Sequence, residues 1–145
     1  MGKIDRSELL EYFLAEAEDY LNVLSRGIPE LAVATDRSTL LEELFRAAHT
    51  LKGAAAIVRL TVTSQIAHSM EDILETFKNR QLEVEKDVID LLLSMLDAIA
   101  HSVRDISTGK EESEGIEKQF TERVAEVLAR AEMLGKESDF GFEED

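Results

Sequence analysis

The chain has 145 residues, no cysteine, and 31 Asp and Glu against 16 Lys and Arg, which gives a formal net charge of −15 at pH 7. The lack of cysteine excludes disulfides, a thiol nucleophile and thiolate metal ligands, and the acidic balance argues against binding to nucleic acid or to an anionic membrane surface. At this length, 44% hydrophobic residues are enough to build the core of a single domain.

Five helices are predicted from apolar residues that recur at a spacing near 3.6, in a composition with one Pro and few aromatic residues. The first helix is expected from about Asp5 to Arg26. Asp5 with Glu8 resembles a capping box at its start, and Gly27 with Pro29 would end it. Its predicted core stripe comprises Leu10, Phe13, Leu14, Ala17, Leu21 and Leu24.

The second helix is expected to begin near Ser38 or Thr39 and to end around Val58 or Arg59. Thr39 and Glu42 are three residues apart, which predicts another capping box at its start. The side chains that this helix is predicted to bury are Leu41, Leu44, Phe45, Ala48, Leu51 and Ala55.

Three more helices are predicted, from about Thr61 to Arg80, from Lys86 to Ser107 and from Ser113 to Leu134, with Gly109 as the stop signal of the fourth. The third helix is predicted to bury Val62, Ile66, Met70, Ile73, Leu74 and Phe77. The predicted core of the fourth comprises Val88, Leu91, Leu92, Met95, Ile99, Val103 and Ile106. That of the fifth comprises Ile116, Phe120, Val124, Val127, Ala131 and Leu134.

Short links between amphipathic helices favour antiparallel neighbours. We therefore expect an all-α fold, an antiparallel up-down four-helix bundle with an additional fifth C-terminal helix packed outside or across it. Residues 1–134 would form this domain, and the acidic, Gly-containing residues 135–145 would form a flexible tail or linker.

The sequence favours a cytoplasmic protein. No stretch approaches the roughly 20 apolar residues of a membrane span, and no secretory leader opens the chain. No Gly-rich phosphate loop is present either, so any chemistry with ATP must be supplied by another domain.

The strongest functional signal surrounds His49 in the second helix. Arg46, Lys52 and Gly53 are three or four residues away and share its helix face. The stretch 44–70 keeps three basic residues and contains no Asp or Glu. Two cations and a missing side chain suit an imidazole that carries a phosphoryl group, since that group brings roughly two negative charges and needs donors and space. His49 is predicted at the edge of the packed face, open to solvent.

A glycine inside a helix costs about 1 kcal/mol relative to Ala, so Gly53 needs a reason. We expect it to let the surface of another protein approach His49. A tight crossing against the first or third helix is the alternative.

The third helix carries His68 and Glu71 three residues apart on one face. If the second and third helices form a hairpin, this face can border His49. Glu71 could then accept a hydrogen bond from one ring nitrogen and leave the lone pair of the other nitrogen free. The sequence leaves open a solvated face for these two side chains.

The element His49-Thr-Leu-Lys52-Gly53, followed nineteen residues later by His68-Ser-Met-Glu71, resembles the histidine-phosphotransfer (HPt) family. Over roughly residues 5–134 the chain is most similar to the N-terminal P1 domain of chemotaxis histidine kinases of the CheA type. The resemblance implies that His49 is phosphorylated through Nε2 and that Lys52 stabilises the phosphoryl group. It also implies that His68 and Glu71 complete the hydrogen-bond network of the ring.

The same resemblance implies partners. A separate kinase domain would use ATP and Mg to phosphorylate the histidine, and the aspartate of a response-regulator receiver domain would take the phosphoryl group. The domain itself would need no cofactor or metal, and it would be a phosphoryl acceptor and donor within a CheA-like kinase instead of a complete enzyme.

The docking surface implied by the family comprises Arg46, Gly53, Ala56 and Arg59. Ala56 stands where the family often has Gly, and Arg59 stands where a helix-ending Gly is frequent. The second of these departures puts the usual turn geometry at the end of the helix in question.

Two other functions fit parts of the sequence. A helical adaptor or dimerisation bundle would leave the histidine motif without a role. A metal-binding bundle would use His49, His68, Glu71 and Glu75, although di-metal bundles normally contain paired Glu-x-x-His elements and this chain has one element in reversed order.

Overall fold

The computed structural model describes the backbone of residues 5–143 and the side chains of residues 5–134. This part of the chain contains five α-helices and a short 3₁₀ helix at Ile116–Phe120. The α-helices are α1 (Arg6–Glu30), α2 (Arg37–Ile57), α3 (Thr61–Arg80), α4 (Lys86–Ser107) and α5 (Thr121–Glu143). The predicted bounds of the third and fourth helices are confirmed. None of the described helices is both long and apolar enough to cross a membrane.

The first four helices form the predicted bundle. Each of α1, α2 and α3 contacts the next helix, and α4 contacts α1, which closes the group of four. The connections are short, so neighbouring helices are antiparallel. The helix α5 packs outside, on α3 and α4. The all-α prediction is confirmed.

The bundle encloses one apolar core. Its largest fully buried side chains include members of every predicted stripe of the bundle: Phe13, Leu24, Leu44, Leu51, Ile66, Met70, Leu74, Leu91 and Leu92. Several predicted core side chains are only partly buried, namely Leu10, Leu14, Leu21, Phe45, Val103, Ile106 and Ile116. Leu134 is 42% exposed, so the prediction that it is buried is wrong.

The predicted end of the first helix is wrong, because α1 continues through Gly27 and Pro29 to Glu30. Gly27 is buried where α1 meets α2. A Cβ built on it would lie 2.5 Å from Leu44 Cδ2 and 3.3 Å from Leu40 Cδ1. The glycine therefore serves close packing between two helices and does not end α1. The predicted start is confirmed, since Asp5 accepts a hydrogen bond from the Ser7 amide.

The cap of α2 also differs from the prediction. Asp36 is the N-cap, and its two carboxylate oxygens accept hydrogen bonds from the amide and the hydroxyl of Thr39 at 3.1 and 2.7 Å. Asp is a strong N-cap residue because its oxygen satisfies an orphan amide of the first turn. Glu42, the other half of the predicted capping box, instead forms ion pairs with Lys78 and Arg46.

Arg59 keeps the turn that glycine usually provides. Its φ is 63°, in the left-handed region. The amide of Arg59 donates to Ala56 O, and the amide of Leu60 donates to Ala55 O. These two bonds form a Schellman motif, which satisfies the last carbonyls of α2. The turn at Arg59 thus has the geometry that the departure from the family pattern had put in question.

The fifth helix begins later than predicted. The 3₁₀ helix occupies 116–120, and α5 starts at Thr121 and continues to Glu143, past the predicted end at Leu134. The prediction of an acidic flexible tail at 135–145 stays a prediction: the backbone of 135–143 continues α5, and residues 144–145 lie outside the described part.

We predict opposite effects of one added methyl group at Gly27 of α1 and Gly53 of α2. Gly27→Ala should lower the free energy of unfolding by about 1–2 kcal/mol, because Leu44 is fully buried and must shift to make room. Gly53→Ala should raise it by up to about 1 kcal/mol, because no atom lies within 4 Å of the added Cβ and Ala favours the helix. Urea unfolding followed by circular dichroism measures both.

The two variants are matched controls for each other, since both add a Cβ to a helix interior. Equal effects of the same sign at both positions would contradict the assignment of Gly27, and not Gly53, to the helix crossing.

Candidate functional site

His49 lies where α2 packs against α3, at the edge of the buried stripe. Its neighbours Ala48 and Leu51 are fully buried, whereas 59% of the His49 side chain is exposed. The predicted position at the rim of the packed face is confirmed. The ring is anchored by the helix on one side and open to solvent on the other.

Glu71 of α3 binds both polar side chains of the α2 motif. His49 Nδ1 lies 2.7 Å from Glu71 Oε2, and Lys52 Nζ lies 2.9 Å from Oε2 and 3.1 Å from Oε1. Glu71 is 8% exposed, so this carboxylate is held almost without water. Ser64 adds a second link between the helices by donating from its hydroxyl to Lys52 O. The hairpin thus brings Glu71 to His49 as the sequence suggested.

The surroundings of Glu71 favour its charged form. Burial acts to raise the pKa of this carboxyl, but the hydrogen bonds from Lys52 and His49 and their charges outweigh it, so the pKa of Glu71 is lowered. A carboxylate can only accept hydrogen bonds, so Nδ1 of His49 carries the proton that it donates to Glu71, and in the neutral form of the ring Nε2 carries none. The lone pair then lies on Nε2, which has no hydrogen-bond partner among the described residues.

Phe45 covers one face of the His49 ring. The ring centroids are 5.9 Å apart with an interplanar angle of 23°. On Phe45 in turn lies Lys78, whose Nζ is 4.4 Å from the ring centroid and 2.6 Å from Glu42 Oε2. The apolar spacing predicts Phe45 in the core and does not indicate this contact, although a position four residues before His49 shares its helix face.

Two residues predicted at the ring are held elsewhere. Arg46 Nε pairs with Glu42 Oε1 at 2.9 Å, so this cation is turned toward the preceding helical turn. His68 is exposed, and its Nε2 lies 3.7 Å from Asp72 Oδ1. Among the described residues it makes no hydrogen bond to His49 or Glu71, so the network around the ring consists of Glu71 and Lys52 without His68.

The remaining predicted docking residues form an open strip beside His49. Gly53 and Ala56 are four and seven residues further along α2 and so share the face of the histidine. Gly53 has open space around it, which favours the open surface over the alternative of a tight crossing. Ala56 and Arg59 are exposed. Ile57, which the motif does not single out, is 73% exposed and adds an apolar side chain to this strip.

The predicted metal alternative is not favoured by this geometry. The described side chains that could share a cation are His68, Glu71 and Asp72, instead of the predicted set with His49 and Glu75. Glu71 already has the Lys52 ammonium 2.9 Å from Oε2, which would repel a cation at the same oxygen.

Comparison with known proteins places this geometry in a family. A family model described as "Hpt domain" matches residues 8–102. The chain is 35% identical over 96 residues to the chemotaxis protein CheA of Borreliella burgdorferi, covering 66% of this chain and 11% of that protein. It is 30% identical over 128 residues to the sensor histidine kinase CheAY of Helicobacter pylori, covering 86% of this chain and 16% of that protein.

A solved structure supports the fold. The phosphorylated P1 domain of CheA3 from R. sphaeroides, in complex with CheY6, matches with a TM-score of 0.77 at 20% sequence identity. The match covers 86% of this chain and 98% of that domain. The chain therefore corresponds to a whole domain there, but its matched region spans only 11–16% of the two kinases above.

The charge of Glu71 predicts a pH-dependent contribution to stability. Because its pKa is lower in the folded protein than the ordinary 4.5, the stabilisation is present above that pH and is lost as the pH falls through the lower folded value. Glu71→Gln should cost about 1–2 kcal/mol at pH 7, since it leaves Lys52 without its partner. In acid, the free energies of unfolding of Glu71→Gln and of the unmodified chain should become equal. Urea unfolding at a series of pH values measures it.

The control is Glu75→Gln, an exposed carboxylate one turn along the same helix. It should change stability by less than about 0.5 kcal/mol at every pH. A Glu71→Gln difference that stays constant from neutral pH to strong acid would show that the charge of Glu71 is not what stabilises the site.

Proposed function

The chain belongs to the Hpt domain family, and from this we propose that it is the phosphocarrier domain of a chemotaxis-type phosphorelay. In this proposal His49 accepts a phosphoryl group from an ATP-dependent histidine kinase domain and passes it to an aspartate of a response-regulator receiver domain. The domain needs no cofactor of its own, since the kinase domain supplies ATP and Mg.

The observation that carries the proposal is the hydrogen bond between His49 Nδ1 and the Glu71 carboxylate at 2.7 Å. It assigns the ring proton to Nδ1 and the nucleophilic lone pair to the exposed nitrogen, Nε2. An exposed histidine without such a partner would exchange between tautomers, and a large part of the molecules would have no lone pair at the outer nitrogen.

In the proposed reaction, the Nε2 lone pair attacks the γ-phosphorus of ATP bound to the kinase domain. The N–P bond forms while the bond from phosphorus to the bridging oxygen breaks, and ADP leaves with that electron pair. The imidazole becomes more positive as it gives up its lone pair, and the Glu71 carboxylate stabilises this charge through the Nδ1 proton. That proton stays on the ring, so the attack needs no separate base.

Lys52 is proposed to stabilise the phosphoryl group. Its ammonium has three donors, and the two oxygens of Glu71 account for two of them. The remaining donor is available for a phosphoryl oxygen on His49. Positioning and charge stabilisation are what phosphoryl transfer mainly requires of a protein, because the transition state is loose. Arg46 is paired with Glu42, so we assign it no direct contact with the phosphoryl group.

The receiver is proposed to dock on the strip formed by Gly53, Ala56, Ile57 and Arg59. In the second transfer, a carboxylate oxygen of the receiver attacks phosphorus while the N–P bond breaks and its electron pair returns to Nε2. Gly53 permits a close approach, since its missing side chain leaves the surface beside His49 low. Arg59 would contribute a positive charge toward the acidic site of the receiver.

The larger protein is proposed to be a CheA-like histidine kinase, of which this chain is one domain. The relatives matched here are several times longer, and the ATP-binding part would lie in their remaining length. We also propose a cytoplasmic location, because the reaction requires ATP and a receiver in one compartment.

His49 should be the one histidine of the chain that carries the phosphoryl group. Incubation of the chain with a CheA-type kinase domain and radiolabelled ATP should give an acid-labile, base-stable label. His49→Gln should reduce that label at least about a hundredfold, because the amide of Gln is no nucleophile. A CheY-type receiver domain that is added afterwards should then take the label from the unmodified chain.

His101→Gln is the matched control, since His101 has the same 59% side-chain exposure on α4. It should be labelled at the unmodified rate. Full labelling of His49→Gln would refute the site, and the absence of label from every form would favour the helical adaptor.

A further inference from the structure

We propose that Phe45 is a positioning residue for the phosphorylated histidine, and that Lys78 and Glu42 hold Phe45 in place. The inference rests on the proposed function and adds to it a second contact on the ring. It assigns the orientation of His49 to a hydrogen bond in the plane of the imidazole and to an aromatic contact on its face.

Four side chains contact one another in a row, namely Glu42, Lys78, Phe45 and His49. Glu42 Oε2 lies 2.6 Å from Lys78 Nζ, and this ammonium lies 4.4 Å from the centroid of Phe45. The Phe45 ring is stacked at 5.9 Å on His49. Phe45 and Lys78 are both partly buried, on α2 and α3 respectively, so the support crosses the same helix pair as the bond to Glu71.

A single hydrogen bond leaves the His49 ring free to rotate about its bond to Cβ, and the contact with Phe45 restricts that rotation. With 59% of its side chain exposed, His49 has solvent around it and no other described polar partner than Glu71. Hydrogen bonds tolerate tens of degrees of misalignment, so the ring can rock about its bond to Cβ and carry Nε2 sideways. Phe45 blocks that rotation on one face, because near-parallel offset rings attract each other.

The ammonium of Lys78 helps to hold the Phe45 ring in place. An ammonium within 6 Å of an aromatic centroid is attracted to the ring face, and Glu42 fixes this ammonium in place. Glu42 also binds Arg46 at 2.9 Å, which keeps that cation from covering the imidazole. The pKa of Glu42 is lowered, mainly by its hydrogen bond with Lys78, so the carboxylate is charged at neutral pH. The ring of Phe45 thus contacts both the ammonium of Lys78 and the imidazole of His49.

The test compares Phe45→Leu, which removes the flat ring, with Phe45→Tyr, which keeps it. Long-range ¹H–¹⁵N NMR at about pH 8, where an ordinary imidazole is neutral, reads the ratio of Nδ1–H to Nε2–H tautomers at each histidine. We expect Phe45→Leu to lower this ratio at His49 about three- to tenfold and to slow its labelling by the kinase domain by a similar factor. Phe45→Tyr should stay within about twofold of the unmodified chain in both measurements.

The molecule supplies its own reference groups. The side chains of His68 and His101 are 58% and 59% exposed, like His49, but neither has an aromatic ring stacked on it among the described residues. Their tautomer ratios should not move in Phe45→Leu. Lys78→Met should lower the His49 ratio about twofold, and Lys78→Arg, which keeps the cation, should restore it.

Each other outcome overturns the inference. An unchanged ratio and rate in Phe45→Leu would show that the contact has no effect. A slower rate with an unchanged ratio would make Phe45 a contact of the kinase, and a changed ratio with an unchanged rate would make it irrelevant to the reaction. If circular dichroism shows Phe45→Leu unfolded, Phe45→Met takes its place. The tautomer measurement needs no phosphorylation, so it shows whether Phe45 orients the His49 ring even if His49 is never labelled, and a failure of the proposed function is thereby told apart from a failure of this inference.

Discussion

The site depends on one nearly buried carboxylate. Glu71 lies between α2 and α3, where it accepts hydrogen bonds from His49 and Lys52 and faces little water. Burying a charge is costly unless it is paired, and here two side chains of the same helical turn pair it. The same contact that neutralises the cost of burial also orients the imidazole. The stability of this site and the reactivity that we propose for His49 therefore have a common origin, and a change at Glu71 should affect both.

The bundle explains how an exposed ring can be held firmly. Ala48 and Leu51 fix the backbone of α2 in the core, while the side chain of His49 lies one position outside the buried stripe. The close crossing at Gly27 packs α1 against Leu40 and Leu44 of α2. The glycines inside α1 and α2 thus have separate uses, Gly27 for packing inside the bundle and Gly53 for an open surface beside the histidine.

Much of this arrangement could be predicted from the sequence, because its signals are local. The bounds of α3 and α4 follow from apolar spacing and from Gly109, and the position of His49 follows from its offset to the core stripe. The end of α1 could not be predicted this way, because Gly27 resembles a helix terminator until Leu44 is seen against it. The helix faces place Arg46 and His68 near the ring, but each is bound by an acid four residues away, Arg46 by Glu42 and His68 by Asp72.

We propose that Glu71 holds Nδ1 of His49 and leaves Nε2 as the nucleophile. The most direct measurement is NMR of the phosphorylated chain with coupled ³¹P and ¹⁵N detection, which identifies the nitrogen that carries phosphorus. We expect a single phosphohistidine, at His49, with phosphorus bonded to Nε2. Phosphorus on Nδ1 of that ring, or on another histidine, would contradict it.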